Sequence, residues 1–133
     1  MVNERLAESY LKRAGIRLEI LPEYLKRQDY ADVIREAQEI VELIQKALLI
    51  KVGIRPPKWH EVGSIINEHI DKFPHEVRET LFELNKIAKW LRSQREISFY
   101  GDMDLIPEEL YSEEEALKAL SFARDYYSIA EKI

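Results

Sequence analysis

The chain has 133 residues, of which 46% are apolar and 34% charged, with a formal net charge of −5 and no cysteine. That is enough apolar content for one continuous core in a single domain spanning 1–133. It excludes disulfides, thiolate metal sites and a basic surface that could bind nucleic acid everywhere, so any RNA or DNA contact must come from a local cationic patch.

With only four glycines and five prolines, many short strands and tight turns are not expected. No run of about 18 apolar residues occurs, and the N-terminus has no signal-peptide core. A cytoplasmic protein without a membrane span is expected. Heavy use of Glu, Lys and Arg suits a thermophile. The fold class read from the periodicity below is all-α, an up-and-down antiparallel bundle of four to five helices.

The first helix is expected from Asn3, its N-cap, to Gln28, with Leu6, Tyr10, Ala14, Leu18, Leu21 and Leu25 on one face. Pro22 removes the hydrogen bond to the Leu18 carbonyl, which predicts a kink or a break into two helices. The second helix should run from Asp29 to Gly53 on the stripe Val33, Ala37, Ile40, Val41, Ile44, Ala47, Leu48. Glu42 and Lys46 stand four apart in the favourable order. Gly53 reads as the stop, and Pro56-Pro57 prevents continuation.

A third helix is expected over Lys58–Phe73, with Val62, Ile65, Ile66, His69 and Ile70 on its face. Pro74 opens the fourth, whose stripe is Val77, Leu81, Leu84, Ala88, Leu91 and whose stop is Gly101. Asp102–Tyr111 contains Pro107, lacks helical period and reads as a loop. Ser112 and Glu115 form a capping box for the last helix, with Ala116, Ala119, Leu120, Ala123, Tyr127 and Ala130 inward. Glu113, Glu114 and Glu115 complement that helix's dipole.

The fourth helix's stripe, continued past Leu91, meets Arg95 and Ser98, so an apolar seam ends in a guanidinium and a hydroxyl, with Arg92 beside it. A guanidinium facing inward must pair with a carboxylate or lie in a wet cleft. The first reading is a salt bridge to another helix; the second is a cleft for a phosphate, which Arg grips with a bidentate fork. Tyr100 can stack on a base or hold a phosphate oxygen. Asp102 is expected to pair with Arg92 or Arg95, with cation binding as its alternative. Arg92, Arg95, Ser98, Tyr100 and Asp102 are therefore the candidate nucleotide- or phosphate-binding residues.

Of the three histidines, His60 is expected to pack near the turn between the second and third helices, His69 on an apolar face and His75 in solvent. None stands at metal-ligand spacing, so no metal and no cofactor are expected. Lys51, Arg55 and Lys58 cluster at the proline turn with Trp59. They read most simply as a solvated loop, and otherwise as a small patch for RNA or phosphate.

Ala37, Val41-Glu42, Lys46-Ala47, Gly53, Pro56-Pro57 and His60, followed by Arg92-Ser93 and Tyr100-Gly101-Asp102, occur in an order and spacing that resemble the HEPN-domain family over most of the chain. These are small helical proteins of prokaryotes, often encoded beside a minimal nucleotidyltransferase. The resemblance implies a helical bundle that dimerises, a nucleotide or RNA ligand, and a nucleotidyltransferase partner in a toxin–antitoxin-type pair. Many members are metal-independent endoribonucleases that use an arginine followed, after four to six residues, by a histidine. Here Arg92 matches the motif arginine, but Ile97, Ser98 and Phe99 fill the histidine window. Counting from Arg95, the window holds Tyr100, Gly101 and Asp102. Serine is a poor base, and tyrosine titrates near about 10. Binding is therefore expected to survive and RNA cleavage is not. An endoribonuclease and a purely structural interaction module are the alternatives.

Overall fold

The computed structural model describes residues 3–58 and 61–133, and of Glu96 the backbone alone. Among the described residues there are seven α-helical segments: α1 (Glu4–Lys26), α2 (Tyr30–Lys51), α3 (Val62–Glu68), α4 (His75–Ser93), α5 (Arg95–Tyr100), α6 (Pro107–Leu110) and α7 (Glu113–Glu131). The all-α bundle expected from periodicity is what forms. Among the described residues the only strand-like feature is an isolated bridge between Asp102 and Leu105.

The helix ends follow local chemistry. Asn3, Asp29 and Ser112 cap α1, α2 and α7 through their side chains, and Ser112 with Glu115 makes the full capping box. Both α1 and α2 end in Schellman motifs. In α1 the N–H of Asp29 donates to the Tyr24 carbonyl at 2.9 Å; in α2 that of Ile54 donates to Leu49 at 2.9 Å. The left-handed residue is Gly53 in α2, as expected, but Gln28 in α1, where φ is +62°.

Four expectations are corrected. α1 runs unbroken through Pro22, so the two-helix alternative does not occur. One missing N–H on a helix packed against α2 does not outweigh the hydrogen bonds and burial on either side of it. The third helix is shorter, Val62–Glu68, followed by a 3₁₀ turn at Ile70–Lys72. Arg78 Nε and Nη2 donate to the carbonyls of Phe73 and Asp71, both at 2.9 Å, and hold that turn. The fourth helix is interrupted at Gln94, whose ψ of −3° and N–H donation to Leu91, three residues back, tighten the turn. Finally, the expected loop 102–111 contains α6, opened by Pro107.

α2 is the central helix. All the positions of its expected stripe are buried, and α1, α3, α4, α5 and α7 pack around it. One contiguous core joins Ala14 and Leu21 of α1, most of α2's apolar residues, Phe73, Leu81 and Leu91, and Leu120, Phe122 and Tyr126 of α7. Inside it lies a polar cluster. Asn85 Oδ1 accepts from Gln45 Nε2 at 3.2 Å and from the Tyr126 hydroxyl, while Asn85 Nδ2 donates to Asn67 Oδ1 at 2.9 Å. Gly63 gives this cluster room, since a Cβ there would stand 3.1 Å from Gln45 Nε2. Burial pushes the Tyr126 phenol well above its ordinary pKa.

Candidate phosphate-binding site

The ends of α4 and α5 lie along α2 in a three-rung ladder. Arg92 Nη1 donates to Glu42 Oε1 at 3.0 Å, Arg95 Nη2 stands 3.4 Å from Glu39 Oε1, and the Arg35 guanidinium sits 4.1 Å from the centre of the Phe99 ring. Numbers rise along α4–α5 as they fall along α2, which is the register of antiparallel neighbours. The spacing of three and then four residues on each strand of the ladder places each set on one helix face.

The electrostatics are unbalanced. Arg35 also approaches Glu39 Oε1, at 3.6 Å, so one carboxylate oxygen serves two guanidiniums and is aligned as a hydrogen bond to neither. Among the described side chains, the ion pairs of the ladder join three guanidiniums to two carboxylates, and Asp32 lies near enough to act on Arg35 as well. Arg92 and Arg95 stay 34% and 43% exposed, so solvent reaches them. The sequence's first reading of Arg95, a salt bridge to another helix, is what forms, and Arg92 does the same. Beside them Phe99 and Tyr100 pack edge to face with centroids 4.6 Å apart, and Tyr100 is 76% exposed.

The other two candidates stand differently. Ser98 is 1% exposed and its hydroxyl donates to the Arg95 carbonyl at 3.1 Å, so it braces α5 from inside and presents nothing to a ligand. Asp102 pairs with neither arginine. It is exposed, and its Oδ1 accepts the Met103 N–H at 2.7 Å. Gly101 explains the separation: at φ +72° the chain turns away from α5 and closes the Asp102–Leu105 bridge. The tyrosine and the arginines thus share an end of the bundle, whereas Asp102 belongs to the turn beyond it.

The expected Glu42–Lys46 pair is replaced, because Glu42 is taken by Arg92. Lys46 instead lines a cleft of about 710 Å³ with Asn3, Leu6, Tyr10, Ile50, Arg55, Pro56, Pro57 and Lys58. Of the basic cluster read at the proline turn, Arg55 and Lys58 reach this cleft and Lys51 is not among its lining. Trp59 and His60 lie outside the described residues. His69 is half-buried at the end of α3, and His75 is exposed at the start of α4. At a rise of about 1.5 Å per residue, His75 is about 25 Å from Arg92 along that helix. No group of three His, Asp or Glu side chains among the described residues is placed to hold a metal.

Tyr111 ties the site to the last loop. Its hydroxyl donates to Gln94 Oε1 at 2.9 Å, across the break between α4 and α5. Burial, reinforced by Glu115, raises its pKa, so it remains a hydrogen-bond donor at neutral pH. Neither Gln94 nor Tyr111 was legible as a site-shaping residue, since the two are joined only by the tertiary fold.

The family model of the HEPN domain matches residues 7–133. Comparison with curated proteins and with solved structures gives no match. Among the described residues, no helix is long and apolar enough to cross a membrane.

Proposed function

The chain belongs to the HEPN-domain family, and from that premise we propose that it is a nucleotide- or RNA-binding module that acts through Arg92 and Arg95 with Tyr100 and has no nuclease activity. The observation that carries this reading is the unbalanced ladder: three guanidiniums share two carboxylates, and two of them remain open to solvent. An incoming phosphate would take the free donors of Arg92 and Arg95, while a base would rest on the exposed Tyr100 ring.

Cleavage would need a group that moves a proton at the 2′-hydroxyl. The residues that follow the arginines supply serine, tyrosine and aspartate, and Ser98 is turned inward. Binding without cleavage is the reading that fits. The proposal includes a homodimer, supported by Ile87 and Trp90, which stand half exposed on α4 just before Arg92. It also includes a minimal nucleotidyltransferase as partner in a toxin–antitoxin-type pair, supported by the family alone.

The test is titration with mononucleotides and short single-stranded RNA at low salt. Binding that Arg92→Ala with Arg95→Ala weakens by about tenfold or more upholds the reading. No binding, or binding that this double variant leaves unchanged, overturns it. RNA cleavage without metal that Arg92→Ala abolishes would replace it with an endoribonuclease.

A further inference from the structure

The cleft between the N-terminus of α1, the C-terminal end of α2 and the proline turn reverses the charge of the molecule around it. The chain carries 25 acidic residues against 20 basic ones, yet the described residues that line the cleft include Lys46, Arg55 and Lys58 and, among them, no carboxylate. None of these cations has an ion-pair partner among the described residues. The one carboxylate placed to neutralise Lys46 along its helix, Glu42, is bound to Arg92 one turn away.

One backbone feature favours an anion here as well. Asn3, the N-cap of the 23-residue α1, lines the cleft, so the positive end of that helix's dipole lies at its wall. The opposing negative end of α2 is capped, because the N–H groups of Val52, Gly53 and Ile54 take the carbonyls of Leu48, Ile50 and Leu49. Among the described residues the remaining wall is apolar and aromatic, formed by Leu6, Tyr10 and Ile50. Pro56 and Pro57 fix the rim that carries Arg55 and Lys58. The volume falls in the range of small-molecule sites.

We infer that this cleft is a second anion site, distinct from the Arg92–Arg95 end, and that it takes the polyphosphate of a nucleotide. The phosphates lie on Lys46, Arg55 and Lys58, and the base lies against Tyr10. The same chemistry is offered by a free nucleoside triphosphate and by the 5′-triphosphorylated end of an RNA strand.

The experiment is an amide NMR titration of the full chain at low salt with ATP, a 5′-triphosphorylated RNA tetramer and the same tetramer with a 5′-hydroxyl. The expected result is shifts at Tyr10, Lys46, Ile50 and Arg55 with ATP or the triphosphorylated tetramer, and much weaker ones with the 5′-hydroxyl strand. Whichever of the two binds tighter identifies the source, and either upholds the cleft. Lys46→Ala with Arg55→Ala and Lys58→Ala should lower the affinity by about tenfold or more while the amide spectrum stays folded. For the tetramer, three neutralised phosphates give a slope of about −2 in log K against log salt. No shifts at the cleft, or shifts the triple variant keeps, overturn the inference. Shifts only near Arg92 and Arg95 overturn it while upholding the proposed function, and shifts only at the cleft do the reverse.

Discussion

Arg92 of α4 and Glu42 of α2 meet at 3.0 Å, and the carboxylate is the more buried partner, with 17% of its side chain exposed against 34% for the arginine. The pair therefore restrains the arginine more than it stabilises the fold. Half-exposed ion pairs contribute on the order of 0.5–1 kcal/mol, whereas the carboxylate competes directly with any phosphate for the same donors.

Glu42→Gln should accordingly raise affinity for a mononucleotide or short RNA by about threefold to tenfold, with a stability loss of about 1 kcal/mol or less. Isothermal titration of the variant beside Arg92→Ala, which should bind more weakly, checks the sign. Equal or lower affinity for Glu42→Gln would show that Glu42 aligns the arginine rather than occupying it.

Asp32 gives the fold a pH dependence. Its pKa is raised from 3.8 to about 7, first by a hydrogen bond with the Asp29 side chain, then by burial and by the charges of Asp29 and Glu36. The folded state holds this proton more tightly than the unfolded chain. Its contribution is therefore greatest below about pH 4, falls as pH rises towards 7 and is constant above that. Asp32→Asn should stabilise the protein at pH 8 and leave it unchanged near pH 4. Because the group is only partly buried, screening reduces the gain to about 1 kcal/mol. Thermal denaturation of both proteins across this range would show it, and a pH-independent difference would refute the assignment.

Asn85 is the hub of the buried polar cluster, so its loss should be felt more than that of any spoke. Asn85→Ala strands Gln45, Asn67 and the Tyr126 hydroxyl and should cost about 2–4 kcal/mol. Tyr126→Phe leaves Asn85 Oδ1 bonded to Gln45 and should cost about 1 kcal/mol. Urea denaturation of the two variants would settle the order.

Gly101 holds a conformation that other residues avoid, with φ at +72° and ψ at −151°. A Cβ there would fall on the Leu105 carbonyl and stand 2.8 Å from the Pro107 ring. Gly101→Ala should cost about 2–3 kcal/mol. It should also open the Asp102–Leu105 turn, seen as faster hydrogen exchange of the Asp102 and Leu105 amides. Protection equal to that of the parent protein would contradict this account of the turn.

Much of this molecule was legible in one dimension because its causes are local. Heptad-like spacing of apolar residues, the caps Asn3, Asp29 and Ser112, and the stop at Gly53 act within a turn or two of the chain, so they could be read directly. The Arg-Ser and Tyr-Gly-Asp segments could be read as the polar end of an apolar seam for the same reason. What sequence could not decide was pairing across helices. Glu42 chose Arg92 over its own neighbour Lys46, Glu39 came to serve two arginines, and Asn3 and Tyr10 met Arg55 across a cleft. The two ion pairs depend on which residues a distant helix brings within about 4 Å, where Coulomb attraction outweighs local spacing, and the cleft depends on which chain segments fold against one another. The tightened turn at Gln94 belongs to the same class. It interrupts the helix between Ser93 and Arg95, and a hydrogen bond from Tyr111, 17 residues further on, holds it there.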